Sequence, residues 1–283
     1  MDLLRNWPVE IDDFDISPSP ASGWTAIVLA GERPGGDPLA RELHVPMKAL
    51  IKIDGVTLLD HVLNALLAAR EIDRIIVLSQ HLELLSHSDP ICSAGHEKLE
   101  LVRSGEGIAS SIEAAIETAQ AAWPLLVTTA DNALLTPDRV RDFVRQSNEH
   151  DVTIGVGRRD LVESQFPEMR RTWLKFSDGH YSGANVFALT SRDGLKALQF
   201  WSRVERDRKS AFRLLSRFGP ALLFRALTRS ISFSAAIEKA SARLGFRALP
   251  IVLDSEAPLD VDKQSDLHMA QTILSARKAN APT

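Results

Sequence analysis

Short apolar runs alternate with segments of helical periodicity along most of this chain, and that alternation restricts the fold more than any other feature. TAIVLA, DRIIVLS, PLLVTTAD and DVTIGVG are rich in branched aliphatic residues, and glycine or polar residues bound them. Between Leu58 and Leu67, leucine and valine recur at helical spacing, and Thr136-Pro137 marks another helix start. Apolar strands separated by helices are typical of a parallel sheet covered on both faces. The sequence therefore predicts an α/β fold with a Rossmann-like, mostly parallel sheet flanked by helices.

The composition excludes several classes of protein. A formal net charge of −4 over 283 residues argues against a surface built for nucleic acid, so we expect no nucleic-acid partner. The single cysteine, Cys92, excludes an internal disulfide framework and suits a reducing compartment. No run reaches the ~18 consecutive apolar residues of a membrane-spanning helix. We therefore expect a cytoplasmic protein.

The chain divides into a leader and one domain. Residues 1–22 end in SPSPAS and resemble a flexible leader, and residues 23–283 are expected to form the domain. A helical insertion is expected at about 199–246. Residues 201–246 carry ten lysines and arginines against three acidic residues. The insertion could bind an anionic acceptor or make peripheral contact with an anionic membrane, or its helices could simply pack on the sheet.

A glycine-rich loop follows the first apolar run. Gly31, Gly35 and Gly36 allow positive φ and close approach of the backbone to a ligand. Together with the guanidinium of Arg33, their N–H groups could hold an oligophosphate. The loop lacks both the P-loop ending Gly-Lys-Ser/Thr and the dinucleotide pattern G-x-G-x-x-G. A plain structural turn is the alternative.

One lysine and three aspartates complete the candidate site. Lys48 lies in VPMKALIKIDG, where it could neutralise charge on a phosphate or simply be solvated. Asp131 follows the strand PLLVTTAD, and ligands bind beyond strand ends in such sheets. Asp260 and Asp262 precede the last helix, and we expect only one of this pair to face the site. If Asp131 converges with it, they form an oxygen-rich Mg²⁺ site. Helix capping or turn formation is the alternative for all three aspartates.

The order of these motifs resembles the MobA-like nucleotidyltransferase family. That family includes molybdenum-cofactor guanylyl- and cytidylyltransferases and, more distantly, sugar-phosphate and polyol-phosphate cytidylyltransferases. The motifs that carry the resemblance are LAGERPGG, PMKALIKIDGVTLLDHVL, GEGIASSIEAAI, TTAD and DVDKQSDL. The resemblance covers about residues 24–157 and returns at 182–189 and 260–270, and it implies a GT-A-like nucleotidyltransferase fold. The chain departs from the family pattern at Glu32, where a small residue is usual, and at Lys263-Gln264, where the pattern has Thr-Pro.

The resemblance implies roles for these residues. An acceptor phosphate would attack the α-phosphorus of an NTP, with Arg33 on the β- and γ-phosphates and Lys48 on the α-phosphate. Asp131 with Asp262, or with Asp260 as second choice, would hold Mg²⁺. The nucleotide-binding residues would be Leu29, Ala30, Gly31, Gly35, Gly36, Gly107, Ser110 and Ser111. For Ser110 and Ser111, capping of their own helix is the alternative.

The acceptor side is less defined by sequence. In YSGANVFAL, the small residue Gly183 could admit an acceptor and Asn185 could contact it, or Asn185 could bond to backbone. We expect a transferase that uses CTP in preference to GTP, with a phosphorylated small molecule or lipid head group as acceptor. The alternatives are a molybdenum-cofactor guanylyl- or cytidylyltransferase, a nucleotide-sugar-dependent glycosyltransferase, and a non-catalytic nucleotide-binding regulator.

Overall fold

The structure is a computed structural model, and it describes residues 23–32, 35–105, 107–206 and 218–280. The strands are β1 (Trp24–Leu29), β2 (Lys52–Ile53), β3 (Val56–Thr57), β4 (Ile72–Ser79), β5 (Leu99–Arg103), β6 (Leu125–Thr129), β7 (Val152–Arg158), β8 (Leu174–Phe176), β9 (Gly179–Leu189) and β10 (Ala248–Val252). The helices are α1 (Pro38–Glu42), α2 (Leu58–Ala68), α3 (Leu82–Ser88), α4 (Pro90–Ala94), α5 (Ile108–Thr118), α6 (Pro137–Ser147), α7 (Arg159–Gln165), α8 (Leu195–Arg206), α9 (Pro220–Leu227), α10 (Phe233–Leu244) and α11 (Gln264–Ala279). Two 3₁₀ turns span Lys48–Leu50 and Arg192–Gly194.

One eight-stranded sheet organises the domain. Its order is β10-β7-β9-β6-β1-β4-β5, and β8 pairs with β9. β1 pairs in parallel with β4 and β6, β4 pairs in parallel with β5, and β7 pairs in parallel with β10. In contrast, β9 is antiparallel to β6, β7 and β8. The predicted fold class, a mostly parallel sheet flanked by helices, is therefore confirmed. Because β1, β4, β5 and β6 are parallel, their carboxyl ends share one edge of the sheet.

The sheet is buried on both faces, which explains its unbroken apolar strands. On one face, Ala26 and Val28 of β1 belong to a core that includes residues of α2 and α6. On the other face, Ile27 packs with Ile112 and Ala115 of α5. Full burial of a large aliphatic side chain contributes roughly 1.5–3 kcal/mol, so this double-sided core holds the strand ends in place.

Threonine caps begin the two helices that cover the first face. Thr57 accepts a hydrogen bond from Asp60 N (2.9 Å) at the start of α2. Thr136 accepts from Arg139 N (3.2 Å) at the start of α6, and Pro137 occupies the first turn. The predicted cap of α6 is therefore confirmed. A threonine cap of this kind is worth about 1 kcal/mol.

A buried carboxyl pair links α2 to α4. Asp89 is fully buried and Asp60 nearly so. Asp89 accepts hydrogen bonds from Thr57 Oγ1 (2.7 Å) and from Cys92 N (3.0 Å). Burial, together with the hydrogen bond and negative charge of Asp89, raises the pKa of Asp60 to about 7. Asp60 therefore keeps its proton over most of the acidic range.

The described part of the segment predicted as a helical insertion is mainly helical. It comprises the second half of α8, then α9 and α10, while residues 207–217 lie outside the described residues, as does the predicted leader, 1–22. Trp201 on α8 and Phe224 and Leu227 on α9 are exposed. Among the helices described, each is too short or too polar to span a bilayer.

Candidate functional site

The loop after β1 begins at the edge where the parallel strands end. Leu29 and Ala30 still belong to the sheet: Leu29 O accepts from Ala130 N (3.0 Å), and Ala30 N donates to Leu78 O (2.9 Å). Gln80, which follows β4, then holds the loop by accepting a hydrogen bond from Glu32 N (3.0 Å). A Cβ on Gly31 would lie 2.9 Å from Gln80 Oε1, so the close approach of these two loops favours glycine.

Two further glycines determine the backbone conformation of this loop just before α1. Gly35 and Gly36 have φ of +96° and +74°, in the left-handed range that side-chain-bearing residues rarely adopt. Their surroundings are open, so backbone shape rather than crowding requires glycine there. Arg33 lies outside the described residues, and its contact with the triphosphate stays a prediction.

The start of α5 is closed by its own serines. Ser110 Oγ accepts from Gly107 N (3.1 Å) and donates to Gly107 O (3.0 Å), and Ser111 Oγ donates to the same carbonyl (2.6 Å). These bonds satisfy backbone groups at the helix N-terminus, which is the capping alternative considered from sequence. A contact of these residues with nucleotide stays a prediction.

Three aspartates converge at the end of β6. Asp131, Asp260 and Asp262 each offer a carboxylate oxygen, and these oxygens lie within 4.8 Å of one another. Val261 N donates to Asp131 O (3.2 Å), and this bond fastens the segment before α11 to the end of β6. The expectation that only one of Asp260 and Asp262 faces the site is wrong. Residues at i and i+2 of an extended segment project to the same side, so both approach Asp131.

Lys48 bridges two of these carboxylates. Its Nζ donates to Asp131 Oδ2 (2.5 Å) and to Asp262 Oδ1. The 3₁₀ turn at Lys48–Leu50 positions the side chain, which is largely buried. Burial alone would lower the pKa of Lys48, but the charges and hydrogen bonds of the two aspartates outweigh it and hold that pKa well above its usual value. The ammonium group is therefore positively charged throughout the physiological range.

Asp260 is held by two side chains, one from the loop before β8 and one from β9. Arg171 Nη1 donates to Asp260 Oδ1, and Arg171 Nη2 donates to the carbonyl of Pro258. Asn185 Nδ2 donates to Asp260 Oδ2 (2.6 Å). Burial raises the pKa of Asp260; Arg171 opposes this, while the charges of the two neighbouring aspartates add to it. Arg171 thus favours the ionised form of this carboxylate.

Asn185 reaches Asp260 because β9 is distorted there. Its φ is +50°, a left-handed conformation that asparagine tolerates better than most residues, and the pairing of β9 with β7 shifts register nearby. Thr128 Oγ1 donates to Asn185 O (2.9 Å), and Asn132 Nδ2 donates to Ala184 O (3.4 Å). Residues flanking Asp131 therefore fix the strand that supports Asp260.

The charge balance of this cluster suits a hard divalent cation. Lys48 and Arg171 supply two positive charges against the three carboxylates, so the cluster keeps a net negative charge. All three candidate ligands are carboxylate oxygens, the donors that Mg²⁺ prefers. Thr129 Oγ1 donates to Asp131 Oδ1 and orients the first of them. Asp131, Asp260 and Asp262 could therefore hold such an ion.

The sequence predicted the lysine and the aspartates of this site but not the arginine that binds one of the aspartates. The structure brings Lys48 together with the three aspartates, and Gly31 lies at the same strand edge. Gly183 is exposed, with open space where a Cβ would point, and its predicted role in acceptor binding stays a prediction, as does that of Asn185. Arg171 was missed. It belongs to an Arg-Arg pair in a loop, and no spacing relates it to Asp260.

The sheet order and the acid cluster define a GT-A-like nucleotidyltransferase fold. Residues 26–218 match the model of the MobA-like NTP transferase domain, and the chain belongs to that family. In overall shape it is similar to a hypothetical transferase from Thermus thermophilus, at a TM-score of 0.71 and 27% identity over 87% of this chain and all of the other.

Two other relatives are more limited in what they show. A 4-diphosphocytidyl-2C-methyl-D-erythritol synthase from Anaerococcus prevotii shares the fold, with a TM-score of 0.55 at 10% identity over 90% of this chain and 99% of that one. A phosphoenolpyruvate guanylyltransferase from Sphaerobacter thermophilus is 31% identical over 107 residues, which are 37% of this chain. The chain matches 49% of that relative's length, or about half.

Proposed function

We propose that this protein transfers a nucleoside monophosphate from an NTP to a phosphorylated small-molecule acceptor and releases pyrophosphate. One observation carries the proposal. Asp131, Asp260 and Asp262, from segments more than a hundred residues apart in sequence, meet Lys48 at the carboxyl edge of the sheet. Three acids and a buried lysine at this edge suit a site for a polyphosphate and its metal ion.

The reaction in this proposal is a single displacement. An oxygen of the acceptor phosphate forms a bond to the α-phosphorus of the NTP, and the bond from that phosphorus to the oxygen bridging to the β-phosphate breaks. Positioning and charge neutralisation supply the rate acceleration, because no covalent enzyme intermediate is needed. Lys48 would stabilise the negative charge on the α-phosphate, while the glycine loop and Arg33 would bind the β- and γ-phosphates.

The proposal includes Mg²⁺ as cofactor. Held by Asp131, Asp260 and Asp262, the ion would neutralise phosphate charge and polarise the α-phosphoryl group. Arg171 and Asn185 would keep Asp260 ionised and oriented, and Thr129 would orient Asp131. Lys48 can exchange a carboxylate partner for a phosphate oxygen without losing its charge.

The base and the acceptor are the finer parts of the proposal. From sequence, the basic insertion favours CTP as nucleotide and a lipid head group as acceptor. It also suits peripheral contact of a cytoplasmic enzyme with an anionic membrane. The relative from Sphaerobacter thermophilus is a phosphoenolpyruvate guanylyltransferase, which favours GTP and a small phosphorylated acid. We give GTP and a small acceptor precedence, since that relative shares sequence with this chain whereas the insertion offers only charge.

The experiment measures pyrophosphate release from each of the four NTPs with Mg²⁺ and a panel of phosphorylated acceptors. We expect Asp131→Asn and Lys48→Ala each to lower kcat by about 10²–10³-fold, the usual effect of removing a group that stabilises transition-state charge. Each variant removes one partner of a largely buried ion pair, so each should lose some stability while the core of the sheet keeps it folded. Thermal melting checks this.

A matched control is Asp138→Asn on the exposed surface of α6. Asp138 pairs with Arg141 and is 76% exposed, so its loss should leave turnover unchanged. Wild-type turnover that survived both site variants would contradict the proposal. NTP binding without any pyrophosphate release would instead indicate a regulatory nucleotide-binding protein.

A further inference from the structure

A cavity of about 340 Å³ opens beside the acid cluster. Arg171, which binds Asp260, and Lys263, which follows Asp262, both line it. A molecule in this cavity can therefore reach the carboxylate cluster with one end. The volume is at the lower limit of typical small-molecule sites, which range over about 300–1,000 Å³, so it suits a compact ligand.

The cavity wall carries more positive than negative charge. Four of its residues are cationic, and Glu163 is acidic. Arg171 is committed to Asp260, and Arg159 to Glu163 (2.6 Å). Arg170 and Lys263 are exposed and make no ion pair with any residue that the structure describes. Two cations thus remain available to a ligand.

The rest of the lining is apolar or weakly polar. Met169 is buried at the wall and Trp173 is half-buried, while Thr172 offers a hydroxyl group. Such surfaces suit a short carbon skeleton between two charged ends. Lys263 is the neighbour of Asp262 in sequence and therefore places a cation at the boundary of cavity and acid cluster.

We propose that this cavity is the acceptor subsite and that the acceptor carries a second anionic group, which pairs with Arg170 and Lys263 while its phosphate reaches the acid cluster. The inference rests on the proposed function and deepens it by assigning the second charge of a small phosphorylated acid to two residues of the cavity wall. Arg170 and Lys263 are then specificity-determining residues, because they contact the part of the acceptor that does not react.

The test uses two matched pairs of probes at saturating NTP and Mg²⁺. These are 3-phosphoglycerate against glycerol 3-phosphate, and 2-phosphoglycerate against glycerol 2-phosphate. Within each pair the phosphate is the same and only the acid has a carboxylate. We expect kcat/KM for the acids to be at least about tenfold higher, the factor that one charge-assisted hydrogen bond supplies.

Two variants locate the effect. Arg170→Gln and Lys263→Thr should each raise KM for the carboxylated probes by about tenfold and leave the glycerol phosphates unchanged. KM for the NTP should change by less than about twofold, because neither residue lies on the nucleotide loop. Arg170→Lys should keep part of the preference. Arg145→Gln, which removes an exposed cation from α6, is the matched control and should change neither constant.

The possible outcomes distinguish failure of this inference from failure of the proposed function. If wild type neither binds an NTP nor releases pyrophosphate, the proposed function fails and the inference with it. If wild type is active but treats both members of each pair alike, or if the variants keep the preference, only the inference fails. NTP binding that raises the melting temperature, with no further rise from either acid, would also overturn the inference alone.

Discussion

The two sides of the candidate site are held together by different means. On the nucleotide side, residues 24–118, the loop after β1 and the start of α5 are held by side chains that bond to backbone: Gln80 holds Glu32, and Ser110 holds Gly107. On the acceptor side, residues 152–263, side chains bond to side chains across long separations, as Arg171 and Asn185 do with Asp260. The first side keeps its shape through the sheet and its loops. The second depends on the balance of partly buried charges.

Removing Arg171 should give the largest difference between the two sides. Arg171 and Asp260 are 12% and 14% exposed, so Arg171→Gln leaves a carboxylate with little solvent and no cation. We expect a loss of about 2 kcal/mol in the free energy of unfolding, less than for a fully buried pair. The pKa of Asp260 should rise further, since Arg171 now lowers it.

Urea denaturation of Arg171→Gln, Asp260→Asn and the double variant measures this effect. The double variant should recover most of the stability, because a neutral asparagine needs no counter-charge. Purely additive losses would show that the pair is not coupled and that the two sides do not differ in this respect.

Each side also contains a glycine that can be replaced by alanine. A Cβ on Gly157 in β7 would lie 2.0 Å from Cγ of Pro258, a ring atom that cannot turn away, and Pro258 leads directly to Asp260. On the nucleotide side, a Cβ on Gly31 would meet only the end of the flexible Gln80 side chain. Gly157→Ala should cost about 1–3 kcal/mol and Gly31→Ala less than about 1 kcal/mol.

Equal losses of stability in chemical denaturation would remove this distinction between the two sides. Gly157→Ala should also reduce turnover, because it displaces the segment that carries Asp260. Gly31→Ala should raise KM for the NTP and leave KM for the acceptor unchanged.

On the nucleotide side, the carboxyl group of Asp60, buried beside Asp89, titrates far from its ordinary range. The folded state holds a proton on Asp60 with a pKa of about 7, against an ordinary value of 3.8. Between those values the folded state binds more protons than the unfolded one, so the free energy of unfolding falls as pH rises. The slope should approach, at most, about 1.4 kcal/mol per pH unit.

Melting temperatures from pH 4 to pH 8 test this expectation. The stability of wild type relative to Asp60→Asn should fall as pH rises through this window, because the proton on Asp60 that favours the folded state is lost. A profile that Asp60→Asn leaves unchanged would show that other groups control the pH response.

The sequence led to charged residues at the strand ends but not to Arg171, for a physical reason. Strand ends, glycine loops and helix starts leave local patterns, and these led to Gly31, Lys48 and Asp131. Arg171 bonds to a residue 89 positions away, and no local pattern encodes such a partner. Asn185 was singled out as an acceptor contact, yet its side chain bonds to Asp260, because only the register shift in β9 brings it there.

Lys48, placed between Asp131 and Asp262, lets one edge of the protein rely on two kinds of cation at different times. While the chain folds, a tethered ammonium group relieves the crowding of acids, so the fold does not have to wait for an ion from solution. In the proposed reaction, a diffusible ion and a negatively charged substrate arrive at an edge that is already assembled, and the tethered charge is free to change partners.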